Sequence, residues 1–235
     1  MKIMSFNIHH GRGLDEILSL KRIAEIIRET DATVVGLQEV DRHFGERSEF
    51  QDQAKELAEL LNFHYAYGPN INMQTTSGEA KQYGNAILSL YPIIESENFP
   101  LTSYEEEPRG CLKATIDLNG VHVNVFNTHL SLEPISRMKQ IDELIEVTSR
   151  EKYPSVLMGD FNAEPESEEI KKLLKDTNFT DCFSNIGRNE SYPADGPNIR
   201  IDYIFTSTEL DSFNEKVVNR KGSDHLPIVA MVAIK

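Results

Sequence analysis

Carboxylate, amide and imidazole side chains recur in this chain beside short apolar segments. The clearest case is Ser155–Asn162, which reads S-V-L-M-G-D-F-N. Its short, β-branched start predicts a buried strand that ends at Asp160, with Asn162 close behind. A buried carboxylate is costly unless it is paired, hydrogen-bonded or bound to a metal ion. Asp160 is therefore either a turn residue, a role that Asp and Asn often fill, or part of a chemical site.

Further polar residues occupy comparable positions in the sequence. Those at or just past the end of a predicted strand are Asn7, Glu39, His129 and Asp160, and those that open one are Asp202, Asp224 and His225. In an antiparallel sheet the start of one strand lies beside the end of its neighbour. All of these side chains could therefore meet at one rim of a sheet, which favours a site over scattered turns.

The residue types at this rim indicate which chemistry it could perform. A carboxylate such as Glu39, with oxygen ligands nearby and no thiolate cluster, suits a hard cation. We expect Mg²⁺, with Mn²⁺ able to substitute. Asp202 and His225 resemble a pair in which a carboxylate fixes the tautomer of an imidazole. Neither a G-x-S-x-G element nor a Walker loop is present, so the sequence supports neither a serine hydrolase nor a nucleotide motor.

The elements that would position these residues alternate between strands and amphipathic helices. Apolar residues at helical spacing predict helices over Leu20–Ile27 and Ala54–Leu61, after Pro134, and near Ser167–Lys175. Besides the segment ending at Asp160, the predicted strands are Lys2–Asn7, Thr33–Gln38, Asn85–Leu90, Cys111–Leu118, Val121–Thr128, Ile201–Thr206 and Pro227–Ile234. Asn119-Gly120 predicts a tight hairpin turn.

Composition limits the classes of protein that this chain can belong to. Its 235 residues are within reach of one domain spanning 1–235. Cys111 and Cys182 form no disulfide framework or zinc pattern. A formal net charge of −14 argues against a broad basic surface for nucleic acid, although a metal ion and a few arginines can reverse the field locally. The chain shows no signal segment and no membrane-length apolar run, so we expect a cytoplasmic protein without an obligate protein partner.

Short segments spread over nearly the whole chain carry a family resemblance. They are S-F-N at Ser5–Asn7, L-Q-E-V at Leu37–Val40, G-N-A-I-L-S at Gly84–Ser89, N-T-H-L at Asn127–Leu130, G-D-F-N at Gly159–Asn162, I-D-Y-I-F at Ile201–Phe205 and S-D-H at Ser223–His225. In this order the chain resembles the endonuclease/exonuclease/phosphatase superfamily. The resemblance implies an α/β (α+β) four-layer sandwich of two packed mixed β-sheets flanked by helices, as in deoxyribonuclease I. It also implies a Mg²⁺-dependent phosphoester hydrolase, either a phosphodiesterase or a phosphatase.

The resemblance further implies roles for individual residues. Glu39 matches the main metal ligand, with Asn7 and Asp224 as further or water-mediated ligands. Asp160 matches the residue that orients or deprotonates a water that attacks phosphorus directly, although His225 remains an alternative base.

The other matching residues would handle the phosphate group. Asn162 matches a donor to the phosphate or the nucleophile. His129 and His225 match the histidines that bind the phosphate and manage protons, with Asp202 as the partner of His225.

The substrate is less well specified than the reaction. Arg109 and Arg47 are the residues we expect to face a phosphate, because arginine offers a bidentate fork; a surface salt bridge is the alternative for each. Tyr83 and Asn85 are expected to line the cleft. No basic or aromatic groove and no apolar insertion loop stands out, which favours small or soluble phosphoesters, with nucleic acid next.

Two alternatives remain at this stage. A catalytically inactive binding module on the same fold is the competing class of function. His9 and His10 follow Asn7 closely and could line the cleft, but histidines in loops are usually solvated.

Overall fold

Two six-stranded sheets pack face to face, with helices on both outer faces. The computed structural model describes residues 1–75, 78 and 80–235. The helices are α1 (Leu20–Glu29), α2 (Gln53–Leu61), α3 (Pro134–Ser149) and α4 (Glu168–Asp176), with short 3-10 helices at His9–Gly11 and Glu46–Ser48. The strands are β1 (Lys2–Asn7), β2 (Val34–Arg42), β3 (His64–Met73), β4 (Lys81–Ser89), β5 (Ile93–Leu101), β6 (Arg109–Leu118), β7 (Val121–His129), β8 (Ser155–Asp160), β9 (Phe179–Asp181), β10 (Asp202–Ser207), β11 (Leu210–Val217) and β12 (Ile228–Ile234).

Each sheet is mixed and carries one parallel pair near its centre. The first sheet has the order β11-β12-β1-β2-β4-β3, and the second has the order β5-β6-β7-β8-β10-β9. β1 and β2 are parallel in the first sheet, and β7 and β8 are parallel in the second. The predicted four-layer sandwich of two mixed sheets is thereby confirmed.

Side-chain alternation along the strands builds the four layers. In β8, Val156 and Met158 pack between the sheets, whereas Leu157 between them packs under α3 and α4. Leu37 in β2 similarly packs under α1 and α2, whereas Val34 faces the second sheet. Because β2 and β8 are covered on both faces, their sequences are nearly continuous apolar runs.

Three of the four helices named above begin at a capping side chain. Ser19 and Ser167 each accept a hydrogen bond from a backbone N–H in the first turn of α1 and α4. Asp52 caps α2 in the same way, and Pro134 occupies the first turn of α3. None of the helices in the described ranges is both long and apolar enough to span a bilayer.

The strand pattern departs from the sequence prediction at β2. The predicted strand Thr33–Gln38 ends too early, because β2 continues to Arg42. The register with β4 shifts between Leu37 and Val40, and Glu39 has a left-handed backbone with φ of 57°. Glu39 therefore lies on a bulge inside the strand, not beyond its end. A bulge of this kind redirects the side chain that it carries.

Candidate active site

A row of polar residues crosses three strands at one rim of the second sheet. Asp160 is the Cα partner of His129 in parallel β7 and of Asp202 in antiparallel β10. The strand-end pattern in the sequence reflects this register. Asn7 at the end of β1 brings the first sheet to the same place, with its Nδ2 3.2 Å from Oδ2 of Asp160.

Asn7 links the carboxylates of the two sheets. Its Nδ2 donates to Oε1 of Glu39 at 3.0 Å as well as to Asp160, while its Oδ1 accepts the backbone N–H of His9 at 3.1 Å. Asn7 is completely buried. Its amide nitrogen thus bridges one carboxylate from each sheet.

His225 is held by a buried carboxylate. Its Nδ1 lies 2.9 Å from Oδ2 of Asp202, and that oxygen also accepts a hydrogen bond from Ser191 Oγ at 2.5 Å. Its Nε2 lies 3.6 Å from Oδ2 of Asp160. Burial opposes a charged ring, but the carboxylates of Asp202 and Asp160 raise the pKa of His225 to about 10. The ring is therefore an imidazolium that directs one N–H at each carboxylate.

His129, on the other side of Asp160, is neutral. Nδ1 of His129 lies 3.2 Å from Nη1 of Arg109, and Nε2 lies 3.5 Å from Oδ2 of Asp160. Burial, followed by the positive charges of Arg109 and His225, places the pKa of His129 well below its usual range. Because arginine can only donate, Nδ1 accepts and the neutral ring carries its hydrogen on Nε2.

Asn162 adds a second donor beside this ring nitrogen. Its Nδ2 donates to the carbonyl of Leu130 at 2.9 Å and lies 3.1 Å from Nε2 of His129. With hydrogen on Nε2, the two N–H groups repel each other, and an anionic oxygen that accepts from both on the same side would relieve this repulsion. The backbone N–H of Asn162 also donates to Oδ1 of Asp160 at 2.9 Å.

Asp160 is the centre of this arrangement and is almost fully buried. Burial raises the pKa of Asp160 to about 7, against the opposing effect of the His225 cation and hydrogen bonds from Asn162 and Asn7. A carboxylate with a pKa near neutrality can exchange a proton at physiological pH, as a general base must.

Glu39 forms a second cluster with the residues that follow β1. One nitrogen each of His9 and His10 and one oxygen of Glu39 all lie within 4.8 Å of one another. Burial, and secondarily the negative charge of Asp224, raise the pKa of Glu39, while the hydrogen bond from Asn7 lowers it. Asp224 is thus close to Glu39, and its Oδ1 accepts a hydrogen bond from Ser223.

These residues fit a divalent cation. Nδ1 of His10 is buried and has no hydrogen-bond partner within the described ranges. The ligand atoms of Asp160, Asp202 and His225 also lie within 4.8 Å of one another, but the His225 ring has hydrogens on both nitrogens. The positive charge of His225 disfavours an ion in that group, and the Glu39 cluster is therefore the better candidate for the metal centre.

The residues expected to bind substrate are more firmly engaged than the sequence suggests. Arg47 makes a bidentate pair with the buried carboxylate of Asp41, at 2.8 and 2.7 Å, and packs over the rings of Phe44 and Tyr83. Asn85 is completely buried and donates to the carbonyl of Gly110 at 3.0 Å. Asn85 therefore supports the backbone next to Arg109.

Sequence reasoning gave too little weight to two parts of this site. One part is a loop beside His225, in which Ser191 donates a hydrogen bond to Asp202, the partner of that histidine. The ring centroid of Tyr192 in the same loop lies 4.7 Å from that of His225. His9 and His10 lie at the carboxylate of Glu39, and His10 is buried. The loop carries a recognisable Y-P-A-D sequence, but nothing in it indicates that Ser191 contacts Asp202.

Comparison with known proteins places the chain in a family. The protein-family model described as Endonuclease/Exonuclease/phosphatase family matches residues 4–225 of the sequence. The chain belongs to this family. Members of the Endonuclease/Exonuclease/phosphatase family generally hydrolyse phosphoesters.

Similar proteins cover the chain almost completely. The uncharacterized protein YbhP of Escherichia coli strain K12 is 27% identical over 248 residues, which cover 98% of this chain and 95% of YbhP. The crystal structure of a family member from Beutenbergia cavernae superimposes with a TM-score of 0.82 at 25% identity, over 100% of this chain and 71% of that one. The mannosyl-6-phosphatase Bt3783 of Bacteroides thetaiotaomicron gives a TM-score of 0.79 at 19% identity, with both chains fully covered. The last likeness shows a shared fold.

Proposed function

We propose that this protein is a divalent-metal-dependent phosphoester hydrolase, a phosphodiesterase or phosphatase in which water attacks phosphorus directly. The observation that carries the proposal is the placement of buried Asp160, whose Oδ2 lies 3.5 Å from Nε2 of His129 and 3.6 Å from Nε2 of His225. Mg²⁺ is the family-based expectation for the ion, with Mn²⁺ as a substitute. Glu39, with Asp224 nearby, would hold it.

Asp160 is the general base in this proposal. A base must have a lone pair available, and the His225 imidazolium has none because both ring nitrogens carry hydrogen. The water oxygen forms a bond to phosphorus, its proton passes to the Asp160 carboxylate, and the bond from phosphorus to the leaving oxygen breaks. This arrangement favours Asp160 over His225, the choice that the sequence left open.

The remaining residues bind the phosphate and stabilise charge on it. His129 Nε2–H and the Asn162 amide would donate to one phosphate oxygen, and the positive charge of His225 would favour the departing oxygen. A bound divalent ion would neutralise negative charge on the phosphate oxygens. Asp202 keeps His225 protonated, and Arg109 fixes the tautomer of His129.

Small, soluble phosphoesters are the proposed substrate class. The excess of acidic residues disfavours long polyanions, and Arg47 and Arg109 are already paired with Asp41 and Glu107. Arg47 keeps part of its side chain exposed beside the site and would contact a second anionic group of a substrate.

Exposed apolar side chains favour a second candidate, a phosphoester with an apolar portion. Tyr104, Leu132 and Ile135 are 65%, 68% and 79% exposed, on segments that flank β6 and β7. Glu106 joins these segments through its hydrogen bond with Ser136. If this candidate is right, replacing Leu132 and Ile135 by Ser will raise the KM for long-chain but not short-chain phosphodiesters.

The primary test compares wild type with Asp160→Asn. Wild type should hydrolyse p-nitrophenyl phosphate or bis(p-nitrophenyl) phosphate with Mg²⁺ or Mn²⁺ and lose activity in EDTA. Asp160→Asn should lose about 10²- to 10⁴-fold in kcat, whereas the matched change Asp211→Asn on the exposed edge strand β11 should have no effect. Unchanged turnover in Asp160→Asn would show that Asp160 is not the general base. A folded wild type that is inactive on a broad phosphoester panel would favour a binding module.

A further inference from the structure

The segment directly after β1 brings two histidines to the carboxylate of Glu39. His9 and His10 lie in the 3-10 helix His9–Gly11 and have left-handed backbones, with φ of 44° and 43°. Asn7 Oδ1 accepts the N–H of His9, and Gln53 Nε2 donates to the carbonyl of His10 at 2.7 Å. The backbone is thus tied on both sides, so that consecutive imidazoles reach the same place.

The side chain of Glu39 is aimed at these rings by the bulge in β2. One oxygen of Glu39 and one nitrogen of each imidazole lie within 4.8 Å of one another. The ring centroids of His9 and His10 are 4.4 Å apart. This separation of ligand atoms is close enough for one ion to contact all three after small side-chain rotations.

His10 gives an independent indication of a ligand. The residue is 9% exposed, and its Nδ1 finds no hydrogen-bond partner among the residues that the structure describes. A buried polar atom without a partner is destabilising unless something else binds it. A cation beside Glu39 would accept this lone pair.

We propose that His9 and His10 are nitrogen ligands of the ion held by Glu39, and that the centre therefore binds Mn²⁺ more tightly than Mg²⁺. Mg²⁺ prefers oxygen ligands, whereas imidazole favours transition ions. If the histidines were bystanders, Glu39 and Asp224 would form an oxygen-only centre with little preference of this kind. The inference rests on the metal dependence of the proposed function and adds the identity of the ligands.

The test uses binding and spectroscopy, without turnover. Metal-free full-length protein is titrated with Mn²⁺ while electron paramagnetic resonance measures free ion, and Mg²⁺ competition gives the ratio of the two affinities. Electron spin echo modulation of bound Mn²⁺ then reports directly coordinated ¹⁴N. We expect imidazole nitrogen couplings and an affinity for Mn²⁺ at least about tenfold above that for Mg²⁺.

The informative variants are His9→Asn and His10→Asn. Asparagine tolerates the left-handed backbone and can offer an oxygen but no imidazole nitrogen. Each should remove the coupling of one nitrogen, leaving that of the other, and weaken Mn²⁺ binding by about tenfold or more while changing Mg²⁺ binding little. His43→Asn is the matched control, because His43 also has a left-handed backbone, with φ of 53°, and lies outside the cluster.

The possible outcomes separate this inference from the proposed function. Bound Mn²⁺ without nitrogen couplings, or unchanged Mn²⁺ affinity in both variants, would overturn the histidine ligands and leave metal-dependent hydrolysis intact. Glu39→Gln should weaken binding of both ions. A folded wild type that binds neither ion would overturn both the inference and the metal dependence of the proposed function.

Discussion

Arg109 donates a hydrogen bond from Nη1 to Nδ1 of His129, 3.2 Å away. The same Nη1 lies 2.6 Å from a carboxylate oxygen of Glu107, which anchors the guanidinium. An imidazole held by a carboxylate at this position would be drawn toward its charged form. An arginine does the opposite, so His129 and His225 are distinguished by their partners and not by their burial, which is nearly the same.

The Arg109 contact predicts an effect on the tautomer of His129. Replacing Arg109 by Met removes the only donor that the structure's described residues show at Nδ1, so the Nδ1–H form should become populated. ¹⁵N NMR of the imidazole should detect the change, and kcat should fall by about a hundredfold because the donor to phosphate is misplaced. Arg109→Lys should retain more activity. A substrate-binding role alone would instead raise KM and leave the tautomer unchanged.

The pKa values of the two histidines should be shifted in opposite directions from that of a free imidazole. In EDTA, His129 should become protonated only at a lower pH than an ordinary imidazole, since its pKa is lowered, and His225 should remain doubly protonated at pH 8, since its pKa is about 10. NMR titration of the ring nitrogens measures both. His225 gains protons on folding, so its contribution to stability is complete below about pH 6.5 and is lost as pH rises toward 10. A free energy of unfolding in urea that rises over this pH range would contradict the raised pKa of His225.

Ser191 is predicted to position the Asp202–His225 pair. Ser191→Ala removes the hydrogen bond to Oδ2 of Asp202 in a completely buried place, which should cost about 1–3 kcal/mol of unfolding free energy. The pKa of His225 and kcat should change as well, because the carboxylate is free to turn. Ser191→Thr, which keeps the hydroxyl, should recover part of the activity. Loss of stability with an unchanged pKa for His225 would indicate a purely structural role.

Gly159 is predicted to be irreplaceable next to Asp160. Its φ is +145°, and a Cβ placed there would lie 1.9 Å from the carbonyl oxygen of Thr128. Gly159→Ala should therefore destabilise the protein by more than about 2 kcal/mol and reduce kcat by displacing Asp160. Gly187→Ala is the matched control, since no described atom lies within 4 Å of its added methyl group. Comparable melting temperatures for the two variants would show that β7 and β8 can separate locally.

The sequence predicts those parts of the fold that depend on periodicity. The helices follow from apolar spacing, and His129, Asp160 and Asp202 could be placed in one row because strand ends and starts alternate across a sheet. The strands β3, β5, β9 and β11 were missed. All four lie at the sheet edges. The longer strands β5 and β11 also bury few residues, so the alternation of apolar and polar side chains along them is weak.

Contacts between distant segments could not be predicted in this way. The bulge that turns Glu39 toward His9 and His10 depends on a single left-handed residue with no periodic signature. The burial of Asn85 under Gly110 depends on how the sheets stack. Local patterns specify which face of an element is apolar, whereas these features arise only when the elements meet.

The double hydrogen bond of Asn7 has a consequence for how the protein acquires activity. One amide group joins a carboxylate on each sheet, so the site exists only when the two sheets are stacked in their final register. Neither sheet could assemble it alone, however completely its own strands were paired. During refolding, the recovery of turnover should therefore coincide with the docking of the two halves of the sandwich and follow the return of secondary structure.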